Sequence, residues 1–410
     1  MKKITILLTI IALIGLVSCG NKPSGPVTLQ WWQFSTDPSI KPTIEKMVSD
    51  FEAQNPDIKI NITDLTWANG HDKIVLAFSS GTAPDMVELG SDWIAEFSQS
   101  DQLADITDGV VKDTSAFYGW EPTIYKNKIY AFPWILGTRV LYVNNTLRKK
   151  AGLPDDFVPY NWDMLKEECY KIDSLGKDIY GFGSNAAEKH TLYKKFLPFL
   201  WSNKGYIISK TGTFSTLASD RAYNALKFYK ELSDSTGLVD TQRRLEDAFL
   251  DGKVGVIISG DWLLKRIRNE NRKIDFSTFV FPGPKYSGTS FLGGEYLAIS
   301  KTCPDKDAAL KFIKFITDKD NQLTFCKANM SANPSNKAAA EDPYFTDDPH
   351  LATFVQQIKN AQMPEINKNW VYIEDIIERT LEDILFNGVP MAEGLYNGKR
   401  EIEKLLKQAE

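Results

Sequence analysis

The chain has 410 residues, 43% of them hydrophobic and 25% charged, with 48 Lys and Arg against 53 Asp and Glu. That is long for a single hydrophobic core, so two domains are the default. An acidic chain without a basic block is a poor candidate for nucleic acid, and no low-complexity tract or short-period repeat points to a solenoid.

Lys2 and Lys3 open the chain, an apolar run extends from Ile4 to Val17, and Ser18-Cys19-Gly20 follow. A basic start, a short apolar stretch and a small-residue exit make a secretory signal. The run is short of the roughly 20 apolar residues that a transmembrane helix needs. Leu16-Val17-Ser18-Cys19 resembles a bacterial lipobox, in which the chain is cut before the cysteine and the thiol is diacylated. The resemblance implies a signal peptide at 1–18 and an exported protein, lipid-anchored through Cys19 at the periplasmic or extracellular face of the membrane. Residues 19–26 read as a tether, polar and rich in turn formers from Asn21 to Pro26. Loss of Lys2 and Lys3 makes the mature chain two charges more negative than the −5 of the full sequence.

Val27–Phe34 is a strand candidate, apolar on both faces as in a buried parallel sheet. Pro42–Phe51 is a helix with Ile44, Met47, Val48 and Phe51 on one face. Asp57–Leu65 alternates as a second strand, His71–Ser80 is a helix ended by Gly81, and Asp85–Leu89 is a third strand. Strand and helix in alternation predict an α/β layer with a mostly parallel sheet. A second series follows: strand Arg139–Val143, helix Asn145–Lys150, a helix capped by Asn161 that runs to Leu175, a helix capped by Asp220, and strand Val254–Ser259 leading into Gly260-Asp261-Trp262 and a helix. Late elements are Leu297–Ser300, a helix after Pro304 and amphipathic helices from Trp370 onward. Besides Cys19 there are Cys169, Cys303 and Cys326, an odd number that leaves at least one unpaired; whether Cys303 pairs with Cys326 is open. His71, His190 and His350 are scattered, and no cysteine spacing fits a metal motif, so no metal or cofactor is expected.

Several segments, taken in order, resemble the bacterial extracellular solute-binding family that includes the maltose-binding proteins. Ser80-Gly81-Thr82-Ala83-Pro84-Asp85 is similar to that family's turn into its third strand, and Leu103-Ala104-Asp105-Ile106-Thr107 to the segment after the next helix. Ile129–Asn144 (IYAFPWILGTRVLYVN) resembles the crossover between lobes, with Ala151-Gly152-Leu153-Pro154 beyond it. Gly255–Trp262 (GVIISGDW) resembles a strand and binding turn of the second lobe; Gly293-Gly294, Leu297–Ser300 and Ala308–Ile316 resemble the return into the first. The resemblance spans nearly the whole mature chain and implies a two-lobed periplasmic-binding-protein-like α/β fold. Lobe one is expected at 22–136 and 289–330, and lobe two at 137–288 and 331–410. The ligand would sit in the cleft between them, where strand ends face each other, and hinge closure is known behaviour for such proteins. The implied function is capture of a small solute, a sugar first among them, by a monomer that delivers it to the permease subunits of an ABC-type importer.

Sugar hydroxyls need directional donors and acceptors, and sugar C–H faces suit aromatic rings. The resemblance carries that chemistry onto particular residues. Trp32 and Gln33 close the first strand, and the family's binding aspartate maps onto Asp92. Trp134 and Arg139 bracket the crossover; Trp201 follows a helix of lobe two; Asp261 and Trp262 match a turn whose Trp stacks on sugar; Gly293, Gly294 and Trp370 complete the set. Against each stands a plain alternative. Tryptophans are more often core than platform, Arg139 also suits a hinge salt bridge, and Gly293-Gly294 suits close backbone approach with a solvated Glu295 beside it. Alternation places Trp31 in the core, opposite Trp32. Trp93, where the family often has a charge, and Gly137, where some members carry a carboxylate, depart from the maltose-binding pattern and leave the sugar unspecified. Two other readings compete: an exported glycosidase with paired acids in the cleft, although no hydrolase motif is visible, and the same fold holding a peptide, polyamine or oxidised anion.

Overall fold

The computed structural model describes residues 26–188, 191–271, 273–330 and 332–407; the expected signal peptide, Cys19 and all of the tether but Pro26 lie outside them. Two sheets organise the chain, each the centre of one lobe. In the first, Val27–Gln33 pairs in parallel with Ile58–Asp64 on one side and Met86–Gly90 on the other. Helix Lys41–Gln54 buries Ile44, Met47, Val48 and Phe51, the apolar stripe that lets it cover a sheet. Helix Gly70–Ser79 ends before Gly81, which takes φ +72°, a left-handed geometry that glycine adopts without a Cβ clash.

Most of the rest of the first sheet is antiparallel. Ser290–Ile299 runs against both Met86–Gly90 and Ala131–Thr138. The sheet is therefore mixed rather than mostly parallel, because Ser290–Ile299 returns into it from the other lobe instead of through a strand–helix–strand crossover. Asn333–Pro334 pairs with Ala131–Thr138, and Ala361–Gln362 with Ser290–Ile299. Those pairings put part of 331–410 in the first sheet, although the whole segment was expected in lobe two. Pro334 lies in an edge strand, a position that tolerates its missing N–H.

The second sheet has the order Phe276–Phe279, Val140–Asn144, Val254–Ser259, Tyr180–Asn185, Gly237–Asp240. It too is mixed, parallel between Val254–Ser259, Tyr180–Asn185 and Gly237–Asp240, and antiparallel at Val140–Asn144. Tyr180–Asn185 has no clear strand pattern because of its glycines. They are there for packing: a Cβ on Gly181 would lie 2.0 Å from the Cys169 carbonyl oxygen. Asn161 caps helix Trp162–Asp173 by accepting from the Met164 amide. For helix Asp220–Thr236 the cap is Ser219, and Asp220 is the first helical residue. Helices Trp370–Leu385 and Met391–Lys407 pack on helices Leu192–Ser202 and Asp220–Thr236.

Aromatic contacts dominate both cores. Trp31 meets Phe312 edge-on at 5.3 Å in lobe one, and Trp162 stacks on Phe228 at 4.6 Å in lobe two. Each fully buried side chain of this kind contributes roughly 1.5–3 kcal/mol. Cys169, Cys303 and Cys326 are buried and unpaired. Among the described residues no helix is long and apolar enough to cross a membrane, and no His, Cys, Asp or Glu cluster could hold a metal ion.

One carboxyl ties the chain leading to the last helices onto lobe two. Glu365 accepts a 2.8 Å hydrogen bond from the Ile207 amide, while its second oxygen is buried without a partner. Burial raises this carboxyl to about 7, against the pull of its backbone donors. The folded state thus keeps a proton that the unfolded chain releases from about pH 4.5 upward. The resulting stability is full below that pH and is lost as pH rises through about 7. Glu365→Gln, melted alongside the parent from pH 4.5 to 8, is expected to match it at the acid end and exceed it by roughly 2–3 kcal/mol at pH 8. Parallel melting curves for the two proteins would contradict this.

Candidate functional site

Strand ends from both sheets converge on one cavity of about 320 Å³. From the first sheet, Met86–Gly90 delivers Ser91 and Asp92, and the Ser91 amide donates to the Gly294 carbonyl at 3.0 Å. Gly293 and Gly294 pair with Gly137 and Leu136 of the crossover. A Cβ on Gly294 would lie 2.7 Å from the Ile135 oxygen, so the strands can approach this closely only with glycine there. From the second sheet, Val254–Ser259 delivers Asp261 and Trp262 at the start of helix Asp261–Asn269.

Asp92, Arg139, Asp261, Trp262, Gly293 and Gly294 all line this cavity. Asp92 and Trp262 thus reach it from opposite lobes. The Trp262 ring folds back over Gly260, where any Cβ would lie 2.0 Å from it, and its Nε1 donates to Glu246 at 2.7 Å. The Arg139 guanidinium lies 4.4 Å from the centroid of that ring and 5.5 Å from that of Phe291. Asp261 is buried and accepts a hydrogen bond from the Asn333 amide of the first sheet. Burial raises its carboxyl to about 7, although Arg139 opposes the rise.

Other expected residues sit elsewhere. Trp134 is core, 1% exposed and 4.6 Å from Phe325, because its position on Ala131–Thr138 faces the helices of lobe one. Trp201 is core in lobe two, stacked near Phe291. Trp370 is 2% exposed in the same core and touches only a narrow crevice next to the cavity, beside Asp92 and Glu365. Gln33 is buried, donates to Asp64 at 2.6 Å and faces a separate crevice with Lys41 and Glu45. Trp32 is partly buried against the lobe-one core and does not line the cavity.

The cavity also holds residues that local sequence patterns did not single out: Trp67, Lys194, Phe291 and Glu295. Trp67 is 49% exposed, stacked on Phe34 at 4.1 Å, so a flat aromatic surface is kept open by the ring behind it. Lys194 reaches across from lobe two to within 3.7 Å of Asp92. Glu295, expected in solvent, is half-buried beside the fully buried Glu88, with which it shares a hydrogen bond. The two acids lie on neighbouring antiparallel strands, where Leu297 is opposite Glu88 and Glu295 is opposite Gly90; this diagonal puts both on one face. Burial first, and then the neighbouring Glu88, raises the Glu295 carboxyl well above its ordinary range, so the pair retains a proton.

An aromatic platform, a second indole, three carboxyls and two cations around a small cavity suit a polar organic solute. A Brucella abortus protein named as a binding protein is 28% identical over 98% of this chain and 95% of its own length. The maltooligosaccharide ABC transporter solute-binding lipoprotein of Streptococcus pneumoniae is 23% identical over 90% of this chain and 89% of its own. The sugar-binding protein MalE of Xanthomonas citri superposes with a TM-score of 0.84 at 20% identity, covering 93% of this chain and 98% of that one, a likeness of fold. Residues 37–323 match the family described as bacterial extracellular solute-binding protein, and the chain belongs to that family.

Proposed function

We propose that this chain is the substrate-capturing component of an ABC-type importer, and that it closes its lobes around a small saccharide in the cleft. The observation that carries the reading is the cavity of about 320 Å³, in which Trp67 and Trp262 face the polar groups of Asp92, Arg139, Lys194, Asp261 and Glu295. Rings take the C–H faces of a sugar and charged groups take its hydroxyls. The names of the relatives above, a maltooligosaccharide-binding lipoprotein among them, support the same assignment. Ion pairs between the lobes support closure: Lys265 of the second meets Asp37 of the first at 2.8 Å, and Lys194 meets Asp92 at 3.7 Å. The Asp37 carboxyl is held at about 2, chiefly by the Lys265 hydrogen bond, so that latch persists across physiological pH.

Capture without catalysis is the better reading of the cavity's acids. Each already has a partner: Lys194 for Asp92, Asn333 for Asp261 and Glu88 for Glu295. Saccharide incubated with the protein for a day is expected back unchanged, with affinity the same after EDTA. Hydrolysis products by chromatography, or affinity lost to EDTA and restored by one cation, would refute this.

In the proposed site, Trp262→Ala is expected to cost roughly 2–4 kcal/mol of binding if the indole is a hot spot, and Asp92→Ala about 1.5–3 kcal/mol if its bonds are charge-assisted. Calorimetry with a saccharide found by thermal-shift screening checks both. Unchanged affinity in both variants would remove them from the site, and equal loss of ligand-free stability would mark them as structural.

The exported, membrane-held state rests on Leu16-Val17-Ser18-Cys19 behind the basic, apolar leader. Mass spectrometry of the membrane-extracted protein is expected to find acyl groups on an N-terminal Cys19. A free Met1, or a Cys19→Ala form still firmly anchored, would contradict it.

A further inference from the structure

Arg139 stands where the chain first passes between the two sheets, between Thr138 of the first and Val140 of the second. Its guanidinium lines the cavity, with Trp262 and Phe291 on its faces. Among the described residues it makes no ion pair, and the hydrogen bond it donates is a long one, 3.4 Å, to the Thr138 carbonyl. A guanidinium has five donors in a planar fork, so most of this fork is left to face the cavity.

Among the described residues no acid bonds to it; Asp261 of the cavity, and Glu246 on the Trp262 indole, act on it only through space. Asp92 is matched by Lys194, at 3.7 Å and outside hydrogen-bond reach. Asp261 is bonded by the Asn333 amide, and burial moves its carboxyl up to about 7. Glu295 and Glu88 share a hydrogen bond that needs a proton between them. Lys195, behind the Trp262 ring at 5.8 Å, gives its ammonium to the Ile258 carbonyl. What remains is a fixed, walled cation whose planar donors suit an oxyanion better than a single hydroxyl.

We propose that the cleft selects an acidic saccharide, one whose ring carries a carboxylate, sulfate or phosphate, and that this oxyanion sits on the Arg139 fork with Lys194 beside it. The inference rests on the reading of the cleft as a saccharide site and adds its charge class. The aromatic surfaces of Trp67 and Trp262 take the ring, and the fork takes the acid.

The test is calorimetry of the folded mature protein against matched pairs: glucose with glucuronic acid, galactose with galacturonic acid, and the same sugars as sulfate and phosphate esters. The acidic member of at least one pair is expected to bind tighter by about 10- to 100-fold, the worth of a charge-assisted hydrogen-bonded contact; the arm that responds names the oxyanion. In Arg139→Met that acid-to-neutral ratio should collapse toward one, with Arg139→Lys between the two. Neutral sugars binding as well as or better than their acids would overturn the charge assignment and keep the saccharide reading. Binding of acetate, sulfate or phosphate alone, with no saccharide bound, would overturn both. If the Met variant fails to fold, the ratio in the parent protein still decides.

Discussion

The cleft depends on two strands that cross the boundary between the sheets side by side. Ala131–Thr138 belongs to one sheet and Val140–Asn144 to the other, with Arg139 between. Ser290–Ile299 returns alongside. Thr138 donates its hydroxyl to the Phe291 carbonyl at 2.7 Å, and Ser290 donates to the Arg139 carbonyl at 2.6 Å. These paired bonds clamp the passage at the level of the cavity. They hold the crossover's backbone while leaving the Arg139 side chain directed at the lining. A strand continuing from one sheet into the next brings no helix of its own, and its pairings in both sheets are antiparallel.

Around that clamp, charges are crowded where water is scarce. Burying an isolated carboxylate is expensive, so acids at such a site either find a partner or keep a proton. Asp261 and the Glu88–Glu295 pair take the second course, and burial is the leading cause at each. Asp92, closer to the mouth, takes the first with Lys194. The result is a cavity whose donors and acceptors are held in position before any solute arrives, an arrangement that reduces the ordering needed on binding.

Much of the fold was legible locally. The helix stripe of Ile44, Met47, Val48 and Phe51, the stop at Gly81 and the cap at Asn161 were all predictable from residues close together in the chain. So was the core position of Trp31, since alternation along a strand sorts neighbours onto opposite faces. The tryptophans that resemblance carried into the cleft fared differently. Trp134, in mid-strand, and Trp201 and Trp370, near helix ends, are large apolar rings, and each had a core to fill. Indole is equally suited to a core and to a sugar face, so its position along the chain does not discriminate between the two.

By itself the sequence determined the periodicities, several caps and turns and much of the order of strands and helices, because these depend on residues within a few positions of each other. It also named the strand ends at Asp92, Arg139 and Asp261-Trp262 that reach the cavity. Only the tertiary structure decided which distant groups meet there. Glu88 and Glu295 are far apart in the chain and become neighbours through strand register. Lys194 finds Asp92 only because two lobes face each other, and Trp67 is held open by Phe34, just past the end of Val27–Gln33. The charge state of such groups is set by burial and by partners, and both are properties of the packed molecule rather than of any local stretch of chain.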